Sequence, residues 1–388
     1  MIIQPKVKGF ICTTAHPAGC KKNVEMQKEY VEKLGKLDGP KKVLVIGGST
    51  GFGLASRITA AFAFDAVTIN VSYEKLPTDK KTGTAGYYNT KAFDEIAKSA
   101  GLLSKSFNGD AFSNQTKEEV ITYIRENLGE IDMLIYSVAS PRRIDPITGE
   151  TYYSVLKPLK TSYTNTTIDF MTGEMSKITL EPATPEEVEG TVKVMGGEDW
   201  ELWIDALIKE KLLAEGAITI AYSYIGPELT FPIYRDGSIG KAKEHLEAKA
   251  LEMNEKYKNN KLKAYVSVNK ALVTQASSAI PVVPLYISVL YKIMKAKGIH
   301  EGCIEQIYRM FSDKILRENI IVDEKNRIRV DDWEMREDVQ KEVIEAWGKM
   351  NQDNLEEILD LDGYRDEFYK LFGFNVQQVN YEEDIDIS

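Results

Sequence analysis

Short apolar runs alternate with amphipathic segments along most of the chain. Residues 43–46 (Val-Leu-Val-Ile) are four consecutive apolar residues, which favours a strand buried on both faces of a parallel sheet. A glycine-rich turn follows them, and residues 54–62 then have the composition of a helix. Similar runs predict five further strands, at 65–74, 103–112, 131–140, 216–224 and 262–268.

Amphipathic or apolar segments between and after these runs predict the helices, at 117–128, 200–213, 238–258, 285–296 and 303–315. Right-handed crossovers through such helices generate a doubly wound sheet. We therefore expect an α/β fold with a doubly wound parallel Rossmann-type sheet flanked by helices. Residues 1–388 are interpreted as one large domain of this kind.

The alternation breaks in two regions. Turn pairs at Thr148-Gly149 and Thr172-Gly173, with short alternating runs, predict an inserted loop and hairpin module on the substrate side at 141–190. Residues 315–388 are interpreted as a C-terminal helical extension, in which 328–333 start the helical region. The acidic tail that ends the chain is expected to be frayed.

Charge and composition narrow the function classes. The chain has 49 basic and 59 acidic residues, a net charge of −10, which argues against nucleic-acid binding. Neither a signal peptide nor a membrane-spanning run is visible, and the three histidines are too dispersed for a metal site. A cytoplasmic protein without a disulfide framework is expected from its three cysteines: Cys12, Cys20 and Cys303.

The glycine turn is the strongest chemical signal. Gly47, Gly51 and Gly53 form G-x-x-x-G-x-G, the spacing of short-chain dehydrogenase/reductases, between a predicted strand and a predicted helix. Backbone N–H groups and the helix dipole at such a turn bind a dinucleotide pyrophosphate. A tight turn without a ligand is the alternative. Glu74, about 20 residues further on, is placed to bind the adenosine ribose and favours NADH over NADPH.

A reductase of this fold needs a proton donor near the nicotinamide. A tyrosine suits this role when a nearby cation lowers its pKa and orients it. The candidate pairs are Tyr153 with Lys157, Tyr291 with Lys295, and Tyr234 with Lys243. Only Tyr234 and Lys243, with eight residues between them, directly follow the predicted fifth strand, where the site is expected. Tyr224, at the end of that strand, points to the same crevice.

The chain resembles the trans-2-enoyl-CoA reductases and the related FabV-type enoyl-acyl carrier protein reductases over essentially its whole length. The Tyr-x8-Lys pair is a hallmark of that family. Several further segments carry the resemblance: Gly9-Phe10-Ile11-Cys12-Thr13-Thr14-Ala15-His16-Pro17, the turn from Gly47 to Arg57, Gly109-Asp110-Ala111-Phe112-Ser113, Ser140-Pro141-Arg142-Arg143 and Val194-Met195-Gly196-Gly197-Glu198-Asp199-Trp200.

The resemblance implies a role for each matching residue. Tyr234 would be the proton donor or enolate stabiliser, Lys243 would hold the nicotinamide ribose and support Tyr234, and Tyr224 would contact the substrate. The remaining residues would bind NADH from pyrophosphate to nicotinamide: Gly47, Gly48, Ser49, Thr50, Gly51, Phe52, Tyr73, Glu74, Asp110, Ala111, Val138, Ala139, Leu272, Val273 and Thr274.

The activity implied is NADH-dependent reduction of the C2–C3 double bond of a trans-2-enoyl thioester, without flavin or metal, by a monomer. The substrate carrier, coenzyme A or acyl carrier protein, stays open, with Arg142, Arg143 or the region of Lys241 as candidate contacts for a carrier protein. Residues 279–290 either line the acyl pocket or form a packed helix. The alternative functions are a ketoacyl or other carbonyl reductase and a non-catalytic NADH sensor.

Overall fold

The parallel sheet predicted from the apolar runs is present in the computed structural model, which describes all 388 residues. Seven strands form this sheet in the order β13–β12–β11–β6–β3–β4–β5, and every neighbouring pair is parallel. Strand order reverses between β3 and β6, so their carboxyl ends border a crevice. The strands are β1 Val7–Lys8, β2 Ile11–Cys12, β3 Lys42–Ile46, β4 Val67–Ser72, β5 Ser104–Asn108, β6 Ile131–Tyr136, β7 Arg142–Ile144, β8 Thr151–Tyr153, β9 Tyr163–Asp169, β10 Glu174–Leu180, β11 Leu213–Ser223, β12 Lys263–Val268 and β13 Arg327–Arg329.

Helices connect the strands of the sheet and cover both of its faces. They are α1 Pro17–Leu34, α2 Gly51–Phe64, α3 Ala85–Ser99, α4 Asn114–Asn127, α5 Pro185–Met195, α6 Glu198–Lys209, α7 Ser238–Lys256, α8 Val283–Ala296, α9 Cys303–Arg309, α10 Glu337–Lys349, α11 Leu355–Ile358 and α12 Leu361–Lys370. A π-helical turn, Met310–Ile315, continues α9. None of these helices combines the length and the apolar character that crossing a membrane requires.

Strand β3 is buried on both sides, which explains its uninterrupted apolar run. Val43 and Val45 join an apolar cluster with α2 and α9. Leu44 and Ile46 point to the opposite face and join a cluster with α6 and α7. Because successive side chains of a strand alternate between faces, a strand with helices on both sides has no position left for a polar residue.

The predicted helix at 200–213 is too long at its carboxyl end. Helix α6 ends at Lys209, Lys211 adopts a left-handed conformation with φ of 57°, and β11 begins at Leu213. A left-handed residue ends the helical hydrogen-bond ladder, so the chain turns into the strand within three residues.

The prediction that 328–333 start a helical region is wrong. Arg327–Arg329 form β13, which pairs in parallel with β12 at the edge of the sheet. Ile328 is fully buried, and the N–H groups of Val330 and Asp331 continue the pairing to the carbonyl of Val268. A strand of three residues is too short to show a periodicity, so only the pairing with β12 reveals it.

Two antiparallel hairpins occupy most of the region predicted to be an insertion at 141–190. Strand β7 pairs with β8, and β9 pairs with β10. Gly149 and Gly173 have positive φ, 75° and 78°, in the two connecting turns. These are the turn pairs that the sequence indicates, and glycine adopts this conformation without steric cost. The boundaries of the module itself stay a prediction.

The acidic tail is docked, not frayed as predicted. The hydroxyl of Tyr88 donates to the carbonyl of Ile387 at 2.8 Å, and Lys91 donates to the carbonyl of Ser388 at 2.8 Å. The amino group of Met1 donates to the carbonyl of Ile385 at 2.7 Å and pairs with Asp384. These partners come from α3 and from the other end of the chain, so local composition does not reveal them.

A buried arginine ties α2 to the far edge of the sheet. The Arg57 guanidinium has no exposed surface, donates to Asp94 of α3 and to Ser104 of β5, both at 2.6 Å, and stacks 4.0 Å from the Phe93 ring centroid. Burial lowers the pKa of Arg57 to about 10, and Asp94 opposes this shift. The guanidinium therefore stays charged at neutral pH and depends on this partner.

Replacing Arg57 by Met should lower the free energy of unfolding by about 3 kcal/mol, because Asp94 loses its partner in a largely buried site. Urea unfolding followed by tryptophan fluorescence measures this. Lys36→Met is the matched control, since its ion pair with Asp65 is more than half exposed on both sides, and its cost should be below about 0.5 kcal/mol. Equal costs for the two variants would contradict the prediction.

Candidate active site

The turn after β3 occupies positions where a side chain has no room. Gly47 has a φ of 88° and lies against the carbonyl of Ser137, which follows β6, so a Cβ there would collide with that carbonyl. A Cβ at Gly53 would collide with the carbonyl of Gly47. Gly51, with a φ of 54°, has open space, and its nearest neighbour would be Thr274 Cγ2 at 3.8 Å. The turn is closed towards the protein and open at Gly51.

The amino end of α2 presents unpaired N–H groups to this open side. Thr50 caps the helix with an extended backbone but no side-chain hydrogen bond, and the first helical bond runs from Leu54 to the Thr50 carbonyl at 3.1 Å. The N–H groups of 51–53 therefore have no acceptor in the helix. Asn70 of β4 holds the Gly48 N–H at 2.9 Å. This cradle fits the pyrophosphate of a dinucleotide.

Glu74 lies beside the glycine turn, as the sequence predicts. Its carboxylate accepts hydrogen bonds from Ser49 Oγ at 2.6 Å and from Thr84 Oγ1. Asn108, at the end of β5, accepts the Glu74 N–H at 2.7 Å. The side chain of its neighbour Tyr73 is 80 % exposed. A fixed carboxylate at this edge suits the diol of an adenosine ribose and repels a 2′-phosphate.

Asp110 and Ala111 lie just past the end of β5, at the same edge of the sheet. The Asp110 carboxylate accepts the N–H of Phe112 at 2.9 Å. The Ala111 carbonyl accepts from Lys117 Nζ at 2.8 Å and from the Trp203 indole at 3.1 Å. Side chains from α4 and α6 thus hold the backbone of this loop in place.

A buried ion pair that no sequence motif predicts lies under the Asp110–Ala111 loop. Lys117 Nζ lies 2.7 Å from Asp199, whose other oxygen accepts the hydroxyl of Tyr136 at 3.0 Å. Both charged side chains are more than nine-tenths buried. One indication is present in the sequence: Asp199 lies in Val194–Trp200, a segment that carries the family resemblance. Its partner Lys117 is 82 residues away, so no local pattern connects the two.

The segment after β12 closes the crevice from the opposite side. Leu272 and Val273 are buried, and Thr274 faces Gly51. The Val273 N–H donates to the hydroxyl of Tyr291 at 3.1 Å. Val138 and Ala139 follow Ser137, whose carbonyl meets the glycine turn; Val138 is half-buried and Ala139 is exposed. The structure therefore brings together the residues predicted for the nicotinamide side.

Two tyrosine rings meet at the carboxyl end of β11. Tyr224 and Tyr234 have ring centroids 4.8 Å apart and planes at 89°. Tyr234 is held in a turn by its N–H bond to Thr230. Burial, reinforced by the negative charge of Glu334, raises the pKa of both phenols. Each hydroxyl is therefore a neutral donor at physiological pH.

The structure does not show Lys243 lowering the pKa of Tyr234, which the sequence predicts. Lys243 donates to the carbonyl of Tyr222 in β11 at 3.3 Å, and no hydrogen bond joins it to Tyr234. Burial lowers the pKa of Lys243 to about 8, opposed by Glu247. The expectation that the lysine lowers the phenol pKa is wrong here, because burial shifts both groups towards their neutral forms.

A buried acidic residue that no sequence motif predicts lies next to the tyrosines. Glu334 is fully buried in the loop after β13. Its carboxylate accepts hydrogen bonds from Tyr224 at 3.1 Å, Tyr286 at 2.7 Å and the Ala271 N–H at 2.7 Å. No motif marks this residue, since it comes to the site only through the placement of β13 beside β12.

The other two Tyr–Lys pairs do not line the crevice, although the Tyr291 hydroxyl supports the segment after β12 through the Val273 N–H. Tyr153 is 61 % exposed on β8, and Lys157 pairs with Glu187 of α5 at 2.6 Å. Tyr291 is buried within α8, and Lys295 forms an ion pair elsewhere on the surface. Most of the apolar 279–290 segment is the fully buried first half of α8, which favours a packed helix over a pocket lining.

The sequence indicates Arg143 as a candidate contact for a carrier protein, but the structure does not place this residue at the surface. It is buried and pairs with Glu198 at 2.6 Å, and it donates to the carbonyl of Lys193 at 2.7 Å. Arg142 is exposed, and Lys241 is paired with Glu244 on the surface of α7.

Three family models match consecutive parts of the chain. One, described as the NAD(P)H binding domain of trans-2-enoyl-CoA reductase, covers residues 2–79. The model of the trans-2-enoyl-CoA reductase catalytic region covers 81–316. A third, described as the enoyl reductase FAD binding domain, covers 322–385.

Named relatives match along the full length. The enoyl-[acyl-carrier-protein] reductase [NADH] of Flavobacterium johnsoniae is 59% identical over 385 residues, covering 99% of this chain and 97% of the relative. The trans-2-enoyl-CoA reductase [NADH] of Ruminiclostridium cellulolyticum is 54% identical over 387 residues, covering 100% and 98%.

Solved structures match equally well. The crystal structure of Treponema denticola trans-2-enoyl-CoA reductase in complex with NAD superposes with a TM-score of 0.96 at 53% identity, covering 99% of this chain and 98% of that one. The Clostridium acetobutulicum trans-2-enoyl-CoA reductase in complex with NADH has a TM-score of 0.97 at 48% identity, covering 100% and 98%.

The region matched by the third family model does not fit a flavin dinucleotide. Its one strand, β13, is followed by residues 330–335 without a glycine, so it has no strand–glycine turn–helix unit for a pyrophosphate. The apolar side chains of α10 and α12 are packed against α8 in a common core. A strand–glycine turn–helix unit of the kind that fits a dinucleotide follows β3 instead.

Substituting Gly53 by Ala should weaken NADH binding by about tenfold or more, because the added Cβ collides with the Gly47 carbonyl and displaces the cradle. Titration of NADH fluorescence measures the affinity. Gly348→Ala is the control: this helical glycine has no atom within 4 Å of the added Cβ, so NADH binding should be unchanged. An unchanged affinity in Gly53→Ala would show that the cradle is not the cofactor site.

Proposed function

Since the chain belongs to the trans-2-enoyl-CoA reductase family, it is an NADH-dependent reductase of trans-2-enoyl thioesters, and we propose that Tyr234, Lys243 and Tyr224 carry out its chemistry. The observation that supports this most directly is the perpendicular contact of Tyr224 and Tyr234 at the carboxyl end of β11. This is the edge of the sheet at which the glycine cradle opens, and Lys243 of α7 donates to the carbonyl of Tyr222, near the end of β11.

Tyr234 is proposed to donate its hydroxyl proton. When bound, NADH supplies the hydride that adds to C3 of the enoyl thioester. Negative charge then develops on the thioester oxygen, and a hydrogen bond from Tyr234 stabilises that charge as it forms. The same hydroxyl is the source of the proton that C2 accepts, which completes the saturated acyl thioester; a proton from solvent then restores the phenol. Burial raises the pKa of Tyr234 and thereby keeps this donor protonated.

Lys243 is proposed to hold the nicotinamide ribose. A lysine ammonium has three donors, and one of these is directed to the Tyr222 carbonyl. This bond orients the side chain and leaves two donors for ribose hydroxyls. Lys243 then supports Tyr234 through the position of the cofactor and not through a direct contact.

The remaining NADH contacts are proposed from their positions around the crevice. The amino end of α2 would bind the pyrophosphate, and Glu74 with Ser49 the adenosine ribose. Asp110 and Ala111 border the adenine side. Val138, Ala139, Leu272, Val273 and Thr274 enclose the nicotinamide side, with Gly48, Thr50, Phe52 and Tyr73 completing the set.

The substrate is an enoyl thioester of coenzyme A or acyl carrier protein, since relatives of both names match over essentially the full length of the chain. We further propose that the enzyme acts as a cytoplasmic monomer without nucleic acid or membrane. A net charge of −10 and three free cysteines support this proposal. We also propose that the chain consists of a core, a module at 141–190 and a C-terminal extension at 315–388. Strand β13 belongs to the extension and pairs with β12 of the core sheet.

Replacing Tyr234 by Phe should lower the rate of NADH oxidation with crotonyl-CoA by about 100-fold or more, because one hydrogen bond to the developing oxyanion is lost. NADH affinity should stay within about twofold. Loss of NADH absorbance at saturating crotonyl-CoA gives the rate, and fluorescence titration gives the affinity.

Tyr153→Phe is the control for this variant, because Tyr153 is exposed on β8 and forms no part of the crevice. Its rate should match the unaltered enzyme. If the unaltered enzyme reduced acetoacetyl-CoA and not crotonyl-CoA, the result would favour a carbonyl reductase. If it bound NADH and reduced neither thioester, the result would favour an NADH sensor.

The rate should also depend on the protonation of Lys243. Its pKa is lowered to about 8 by burial. The side chain is therefore a charged ammonium below that pH and becomes a neutral amine as the pH rises through it. We expect kcat/KM to fall above about pH 8, approaching tenfold per pH unit. Lys243→Arg keeps the charge, so its residual activity should not show this decline. An identical decline in that variant would assign the titration to another group.

A further inference from the structure

Glu334 joins the substrate side of the crevice to the cofactor side. Its Oε1 accepts the hydroxyls of Tyr224 at 3.1 Å and Tyr286 at 2.7 Å, and its Oε2 accepts the N–H of Ala271 at 2.7 Å. The side chain has no exposed surface. A buried carboxylate is costly unless its oxygens are satisfied, and here both oxygens are used.

The cofactor side of this arrangement is the segment 271–274, which we call the covering segment. It has no regular secondary structure, so side chains satisfy its backbone. Glu334 accepts the first N–H, Tyr291 accepts the N–H of Val273 at 3.1 Å, and Ser277 Oγ donates to the Leu272 carbonyl at 2.7 Å. The Glu334 bond therefore determines where the segment leaves β12.

The substrate side is the hydroxyl of Tyr224. A phenol has one proton, and the Tyr224 proton is directed to Glu334. The oxygen of Tyr224 is then left as an acceptor towards the crevice, whereas Tyr234 makes no such bond and keeps its proton available. Glu334 thereby determines which of the two tyrosines is the donor.

We propose that Glu334 is a positioning residue for the reaction, because it fixes the Tyr224 hydroxyl and the covering segment relative to each other. This inference rests on the proposed function of the site. Lys270 lies alongside, with its Nζ donating to the Ala271 carbonyl at 3.0 Å, and its positive charge opposes the rise that burial causes in the pKa of Glu334.

Glu334→Gln tests the proposal, because an amide cannot accept hydrogen bonds on both sides. One end of Gln is a donor, so the variant either loses the bond from the Ala271 N–H or reverses the bonds to Tyr224 and Tyr286, whose hydroxyls would then accept. We expect kcat with crotonyl-CoA to fall by about tenfold. NADH dissociation constants, measured by fluorescence without turnover, should rise severalfold through the covering segment.

A double-mutant cycle with Tyr224→Phe separates positioning from stability. If Glu334 acts through Tyr224, Glu334→Gln should lower kcat by less than about threefold in the Tyr224→Phe background. Tyr286→Phe is the matched control, since it removes the other hydroxyl from the same oxygen; its kcat should stay within about twofold. Should Glu334→Gln fail to fold, Glu334→Asp keeps the charge but is too short to reach both sides, and the same coupling is expected.

Independent, multiplicative losses of kcat, together with an unchanged NADH affinity, would overturn the proposal and leave Glu334 a structural residue. The two proposals fail separately. If the unaltered enzyme does not reduce crotonyl-CoA, the proposed function fails, while the NADH affinity of Glu334→Gln still reports whether the carboxylate holds the covering segment.

Discussion

Close backbone packing at the carboxyl ends of β3 and β6 is the constraint on which the rest of the site depends. Gly47 lies against the Ser137 carbonyl, and Gly53 lies against Gly47 itself. Without a Cβ at these positions, α2 begins directly at the crevice and directs its unpaired N–H groups into it. Glu74, which accepts a hydrogen bond from Ser49, and the covering segment, whose Thr274 faces Gly51, are both placed relative to this turn.

Burial has opposite consequences for the two groups at the centre of the proposed chemistry. It raises the pKa of Tyr234 and lowers that of Lys243 to about 8, because a low-dielectric environment disfavours charge of either sign. The phenol therefore remains a hydrogen-bond donor at neutral pH. The lysine retains its charge there with little margin, which suits a ligand for ribose hydroxyls better than a device for ionising tyrosine.

Several buried polar side chains hold the crevice without forming part of it. Asn70 binds the Gly48 N–H, the Lys117–Asp199 pair supports the loop at Ala111, and Glu334 links Tyr224 to the covering segment. Each spans two or more elements of the fold, and each is fully paired, as a buried polar group must be. The residues proposed to bind the ligands are thus supported by partners from β4, from α4 and α6 on one face of the sheet, and from the C-terminal region.

The sequence by itself determined the strand–turn–helix order, the doubly wound sheet, the glycine cradle, Glu74 and the tyrosine–lysine pair. These features arise from periodicity and from residues close together along the chain, where backbone geometry leaves few alternatives. Only the tertiary structure decided that 327–329 form a seventh strand, that the tail is docked, that Arg143 is buried and that Glu334 reaches the site. Those outcomes depend on pairings such as Tyr224 with Glu334, 110 residues apart, and Tyr88 with Ile387, 299 apart. No local pattern encodes such contacts, because their energy comes from groups that meet only when the sheet is complete.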